Sequence, residues 1–182
     1  MNLRLALCIL LGACLPPAAA QTLKYTCTAG QVSFVSDAPL EVIRAASGAL
    51  AGVIDPAARS FAFSVDIQSF AGFNSELQRD HFREKYMEAG RFPQASFTGR
   101  IIEDTDVTQP GSYTVRAKGL LTVHGVAAER IIRASIVSKG NTLQVSTSFT
   151  VPLAEHQIAI PKLVTEKVAE EIQVSVSAAF RR

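Results

Sequence analysis

Three histidines, an Asp-His dipeptide and a cysteine beyond the N-terminal apolar stretch are the residues best suited to catalysis or metal binding. His81, His124 and His156 lie far apart, and none stands in an H-x-x-x-H or H-E-x-x-H pattern that would offer two imidazoles to one metal. They read as solvent-facing or singly hydrogen-bonded side chains. Asp80 could orient His81 as a general base, but adjacent helical residues point about 100° apart. Cys27 reads as a small strand residue rather than a nucleophile or cross-link. The chain has no G-x-S-x-G nucleophile elbow and no glycine-rich phosphate loop. The expectation is a protein that is not an enzyme and carries no metal or cofactor.

What remains is the arrangement of apolar residues. The 182-residue chain is 48% apolar and 19% charged, a globular composition sufficient for one core. Its net charge of +2 offers no electrostatic footprint for nucleic acid. Residues 1–20 read as a signal peptide: Asn2 and Arg4 form a polar, positive start, Leu5 to Leu15 an apolar run, and Pro16-Pro17 precede Ala18-Ala19-Ala20. That run is shorter than the roughly 20 residues a spanning helix needs. In a second reading, Leu11-Gly12-Ala13-Cys14 is a lipoprotein box with lipid on Cys14. Under ordinary cleavage, Cys8 and Cys14 leave with the leader, so Cys27 has no intramolecular disulfide partner. One domain over residues 21–182 is the economical organisation.

Period-two alternation dominates that domain. Phe61, Phe63, Val65 and Ile67 alternate with Ser64, Asp66 and Gln68 between Ser60 and Ser69, as a half-buried strand requires. The same pattern runs through Tyr113 to Val123, Leu143 to Val151 and Ile172 to Phe180. Shorter candidates are Leu23 to Thr28, Gln31 to Asp37, Glu41 to Ser47, Ala95 to Glu103 and Glu129 to Lys139. Lys139-Gly140-Asn141 is the strongest hairpin signal, with Asp55-Pro56, Ala29-Gly30 and Pro110-Gly111 as further turns. Ser75 and Gln78 form a capping box that starts a short helix, with Phe82 and Tyr86 facing inward and Gly90 as its stop. Pro161 to Ala169 can hold only a short helical turn. Roughly eight strands with short links give an all-β antiparallel sandwich or barrel.

Alternation alone does not say whether the apolar face points inward or toward lipid. Outer-membrane barrels carry aromatic girdles, whereas this chain has no Trp and three Tyr. Asp66, Arg116 and Lys118 suit a watery exterior. The expectation is therefore an apolar face that points inward, with a membrane-spanning barrel as the alternative; facing inward, an eight-stranded barrel either fills itself or holds one small ligand. A long apolar tail suits the second case, because each buried CH₂ contributes roughly 0.8 kcal/mol.

The run Glu76-Leu77-Gln78-Arg79-Asp80-His81-Phe82, followed by Tyr86-Met87-Glu88 and Phe92-Pro93-Gln94-Ala95-Ser96-Phe97-Thr98-Gly99, resembles the signature of the YceI-like family. Gly119-Leu120-Leu121-Thr122-Val123-His124-Gly125-Val126, Ile158-Ala159-Ile160-Pro161-Lys162-Leu163-Val164 and Gly52-Val53-Ile54-Asp55-Pro56 extend the resemblance over essentially the whole domain. The helix departs slightly from the pattern, reading Arg79-Asp80-His81 where other forms have Glu-His-Phe-Asn.

The resemblance implies a lipocalin-like antiparallel β-barrel, exported to the periplasm, that binds, transports or stores a polyisoprenoid or similar amphiphile, quinones included. The implied partner is that isoprenoid lipid or quinone-like amphiphile, not a nucleic acid; the oligomeric state stays open between monomer and dimer. Phe63, Val65, Ile67, Phe97, Val115 and Leu121 are expected on the cavity wall, together with Val123, Phe149 and Val151. Phe82 and Tyr86 of the helix are expected to close one end. Arg79, His81 and His124 are candidates for a polar rim. The competing reading is an interaction module of the cell envelope in which these side chains fill the core.

Overall fold

Each alternating run becomes one wall stave of a closed antiparallel barrel in a computed structural model that describes residues 23–182. The expected leader and Cys14 lie outside the described residues. The strands, in chain and spatial order, are β1 (Tyr25–Asp37), β2 (Val42–Asp55), β3 (Ser60–Asp66), β4 (Gln94–Ile101), β5 (Gly111–Val123), β6 (Val126–Ser138), β7 (Thr142–Pro152) and β8 (Glu171–Arg181). β8 returns to pair with β1 and closes the barrel. Among the described residues no helix is long and apolar enough to cross a membrane.

Local chemistry accounts for the departures from the alternation. The two short candidates before Asp37 are one strand, because the β1–β2 register shifts between Cys27, Gly30 and Val32 and breaks the parity. The β3 run ends at Asp66 instead of Ser69. There the Asp66 carboxylate accepts from Gln68 N at 2.9 Å and caps a 3₁₀ turn, Ile67–Ser69. Helix α1 (Glu76–His81) starts as expected, with Ser75 Oγ accepting from Gln78 N at 3.2 Å. It continues into a single π turn, Phe82–Tyr86. The stop is not Gly90: the residue at positive φ is Glu88 (42°), two positions earlier. The C-terminal helical turn is a 3₁₀ turn at Lys162–Val164, and a further one forms at Leu153–His156.

The ladder between β6 and β7 is short. It runs from Ser138↔Leu143 to Ser135↔Ser146, after which Thr147 Oγ1 donates to Arg133 O at 2.7 Å and the strands part. The Leu153–His156 turn lies beside the diverging half of β6. His156 Nδ1 donates to Val126 O at 2.9 Å, and Arg130 pairs with Glu155 at 2.6 Å.

The outward faces carry charged and hydroxyl residues. Glu103 accepts from the Arg116 backbone N–H and from its Nε, both at 2.7 Å. These bonds, the backbone one foremost, hold its carboxyl down at about 2 from the usual 4.5. Their stabilisation is therefore present above pH 4.5 and lost as pH falls through about 2. Glu103→Gln is expected to lower Tm at neutral pH, with the gap to wild type closing as acid protonates Glu103. A gap that stays constant across this range in pH-dependent thermal melts contradicts the assignment.

Candidate functional site

The two ends of the barrel are built differently. At the end carrying the β2–β3, β4–β5 and β6–β7 turns, Tyr25, Ile54, Phe61, Ile101, Val107 and Leu143 are all buried and fill the interior. Tyr25 also donates its hydroxyl to Gly140 O and lies under the Arg182 guanidinium. Above this plug, Phe61 stacks on Phe63 at 5.3 Å and packs on Phe97 at 4.9 Å, and Phe63 meets Phe180 at 5.4 Å. These rings make an aromatic floor.

Above the floor the side chains do not meet, and a cavity of about 480 Å³ occupies the barrel. Its size lies within the roughly 300–1,000 Å³ range of small-molecule sites. Leu121, Ala134, Val145, Val174, Val176 and Ala178 form its middle wall. Alanine and valine in register leave space that larger side chains would fill. At the other end, Phe34, Phe70, Phe73 and Phe82 pack as one aromatic cluster between β1 and α1, with neighbouring ring centroids 5.1–6.0 Å apart. Exposed Leu77, His81 and Lys167 also border the cavity, so it reaches solvent here.

Four polar side chains stand at this mouth. Glu41 comes from the β1–β2 turn, Gln78 and His81 from α1, and Lys167 from the β7–β8 connection. Gln78 Nε2 donates to Glu41, while its Oε1 accepts from Asn74 N at 3.2 Å. Just inside, Ser36 Oγ accepts from Ala169 N at 2.9 Å. Tyr86 borders the cavity too, and partial burial raises its phenol pKa, which favours the neutral hydroxyl. Apart from Ser64, Ser96 and Thr147, the rest of the wall is apolar. It can hold a long apolar chain, with donors and an acceptor for one polar end at the mouth.

Phe63, Val65, Ile67, Phe82, Tyr86, Phe97, Leu121, Val123, Phe149 and Val151 all border this cavity. Val115 does not: it shares the inward face of β5 and is buried, but it is packed outside the cavity although its cross-strand partner Ala134 borders it. Alternation gives the face of a residue and not its depth. Phe34 was legible as an inward residue of β1, whereas Phe70 and Phe73 follow the strand and enter through the chain's turn toward α1.

The rim histidines divide. His81 borders the mouth, but Arg79 does not, its guanidinium lying beside Glu76 and Asp80 on the helix. His124 is structural. It occupies the two-residue β5–β6 turn with Gly125, both at positive φ (52° and 71°). Its Nδ1 donates to His156 O at 3.2 Å and its Nε2 faces Glu88 Oε1 at 3.1 Å. His124, with two ring contacts and little exposure, is neither the solvent-facing nor the singly hydrogen-bonded side chain expected, whereas His156 is fully buried and its ring makes the single hydrogen bond of the second alternative. Tertiary contacts with the β3–β4 and β7–β8 connections cover both. His124→Ala is expected to cost on the order of 1–3 kcal/mol and to speed amide exchange in residues 153–158. Unchanged exchange there contradicts this anchoring role. Among the described residues no group of three metal-ligating side chains is gathered.

A closed eight-stranded barrel, plugged at one end and opening through an apolar cavity at the other, defines a lipocalin-like β-barrel. The YceI-like domain family matches residues 25–180, and the chain belongs to that family. A UPF0312 protein of Pseudomonas fluorescens is 28% identical over 78 residues, which span 42% of this chain and 39% of that protein. The match therefore covers less than half of that relative's length. Among solved structures, a polyisoprenoid binding domain from Saccharophagus degradans, implicated in plant cell wall breakdown, superposes with a TM-score of 0.74 at 15% identity. That comparison covers 87% of this chain and 97% of that one. Burkholderia cenocepacia BcnA superposes with a TM-score of 0.69 at 21% identity, covering 82% and 95% of the two chains. The Campylobacter jejuni YCEI protein gives 0.55 at 13% identity, covering 96% and 93%. At these identities the likeness is one of fold.

Proposed function

We propose that this chain is an exported, periplasmic, non-enzymatic carrier that holds a polyisoprenoid or similar amphiphile, quinones included, inside its barrel for transport or storage. The observation that carries the proposal is the apolar cavity of about 480 Å³ with a polar rim at its mouth. Membership of the YceI-like family and the fold shared with a polyisoprenoid binding domain support it. The signal-peptide-like sequence pattern of residues 1–20 supports export. In this reading the tail lies along Leu121, Val145, Val174 and Val176, down to the floor of Phe63, Phe97 and Phe180. A hydroxyl or carbonyl head meets Lys167, His81 and Glu41.

Hydrophobic recognition gains with every methylene it buries, by roughly 0.8 kcal/mol. Prenols of increasing length, from geraniol to geranylgeraniol, should therefore displace all-trans retinol from lipid-stripped protein with steadily rising affinity. A plateau is expected once the chain outgrows the cavity. No saturable retinol binding, or an affinity indifferent to prenyl length, contradicts the carrier reading.

A further inference from the structure

We infer that the mouth of the barrel is also a docking surface, and that its partner is the surface of a zwitterionic phospholipid bilayer. The inference rests on the carrier reading above and extends it to where the ligand is exchanged. Three leucines stand exposed around the opening: Leu40 at 66%, Leu77 at 63% and Leu163 at 96% relative exposure. They come from three different connections, the β1–β2 turn, α1 and the Lys162–Val164 turn.

Hydrogen bonds tie these connections into one rim. Leu40 N donates to Glu166 O at 2.8 Å, joining the first to the third. Gln78, beside Leu77, donates to Glu41, beside Leu40. Leu77 and Val164 both border the cavity, so the exposed apolar surface runs without interruption into the apolar interior. A prenyl chain leaving a bilayer through this rim would meet hydrocarbon throughout. Exposed leucines elsewhere lack this continuity: Leu120, on the outer face of β5, stands opposite Glu129 and away from the opening.

Charge selects the kind of membrane. The three rim segments and their flanks carry Glu41, Glu76, Asp80 and Glu166 against Arg79, Lys162 and Lys167. Near balance gives no attraction to anionic headgroups, so binding comes from leucine insertion and should be insensitive to salt.

Flotation with phosphatidylcholine vesicles tests this on the isolated chain, whose N-terminus is common to all variants and cancels in the comparison. The expected result is vesicle binding that survives high salt, falls about tenfold in Leu163→Glu and is unchanged in Leu120→Glu. Retinol uptake from solution stays at the wild-type level in both, since neither side chain borders the cavity. Equal flotation of wild type and Leu163→Glu overturns the docking proposal and leaves the carrier reading intact, provided uptake is normal. Binding confined to anionic vesicles and abolished by salt also overturns it. So does concentration-dependent self-association in sedimentation that Leu163→Glu removes, which would assign the rim to a second copy of this chain. Loss of retinol uptake in wild type itself contradicts the carrier reading instead.

Discussion

Leu121→Arg is expected to abolish uptake of a prenol by this barrel. Leu121 is 6% exposed on β5, opposite Phe97 on one side and Ala128 on the other, and its side chain borders the cavity above the aromatic floor. The wall around the middle of the cavity offers Ser64, Ser96 and Thr147 but no carboxylate to pair with a guanidinium. A buried charge without a partner costs about 3–5 kcal/mol. The charge keeps its hydration water only by holding water inside the cavity, where a prenyl chain must displace it. Uptake should fall more than tenfold in a variant shown folded by circular dichroism. Val176→Trp covers the case in which the arginine variant unfolds. Val176 borders the cavity from β8, so an indole there occupies the ligand's space without introducing charge. Wild-type uptake by a folded Val176→Trp protein would place the ligand elsewhere.

Gly99→Ala is expected to be strongly destabilising. Gly99 and Gly119 face each other across the β4–β5 ladder. A Cβ on Gly99 would lie 2.1 Å from Lys118 O, and one on Gly119 would lie 2.1 Å from Thr98 O. Both obstacles are backbone, so the two strands would have to separate. Overpacking of this kind costs on the order of 3 kcal/mol, which lowers Tm by roughly 6–12 °C in a domain of this size. Gly90→Ala is the matched control, because its Cβ would meet nothing within 4 Å. Thermal melts in which both alanine variants behave alike contradict the close approach.

The barrel was legible because its strands are buried on one face only, which imprints period two on Phe61 to Ile67, on Tyr113 to Val123 and on Ile172 to Phe180. Gly140, at φ 79°, bears out the strongest turn signal. Parity failed where the backbone left the regular pleat: at the register shifts around Gly30, and at Asp66, whose capping carboxylate turns a strand-like run into a 3₁₀ turn. Depth along the barrel was not legible, which is why Val115 falls outside the cavity while Leu121 borders it. The rim was legible only at His81. Glu41, Gln78 and Lys167 come from distant connections, and only closure of the barrel brings them to one opening. Likewise, His124 and His156 owe their burial to tertiary contacts, His124 with Glu88 and Phe92 and His156 with Val126.

Native mass spectrometry of the protein isolated without detergent from its native cells tests the central claim most directly, because it reports what the cavity holds. The expected result is a mass excess that dissociates as one prenyl lipid or quinone per chain and is missing from the Val176→Trp variant. Protein that emerges empty, and stays empty after incubation with prenol, contradicts a lipid-carrying barrel.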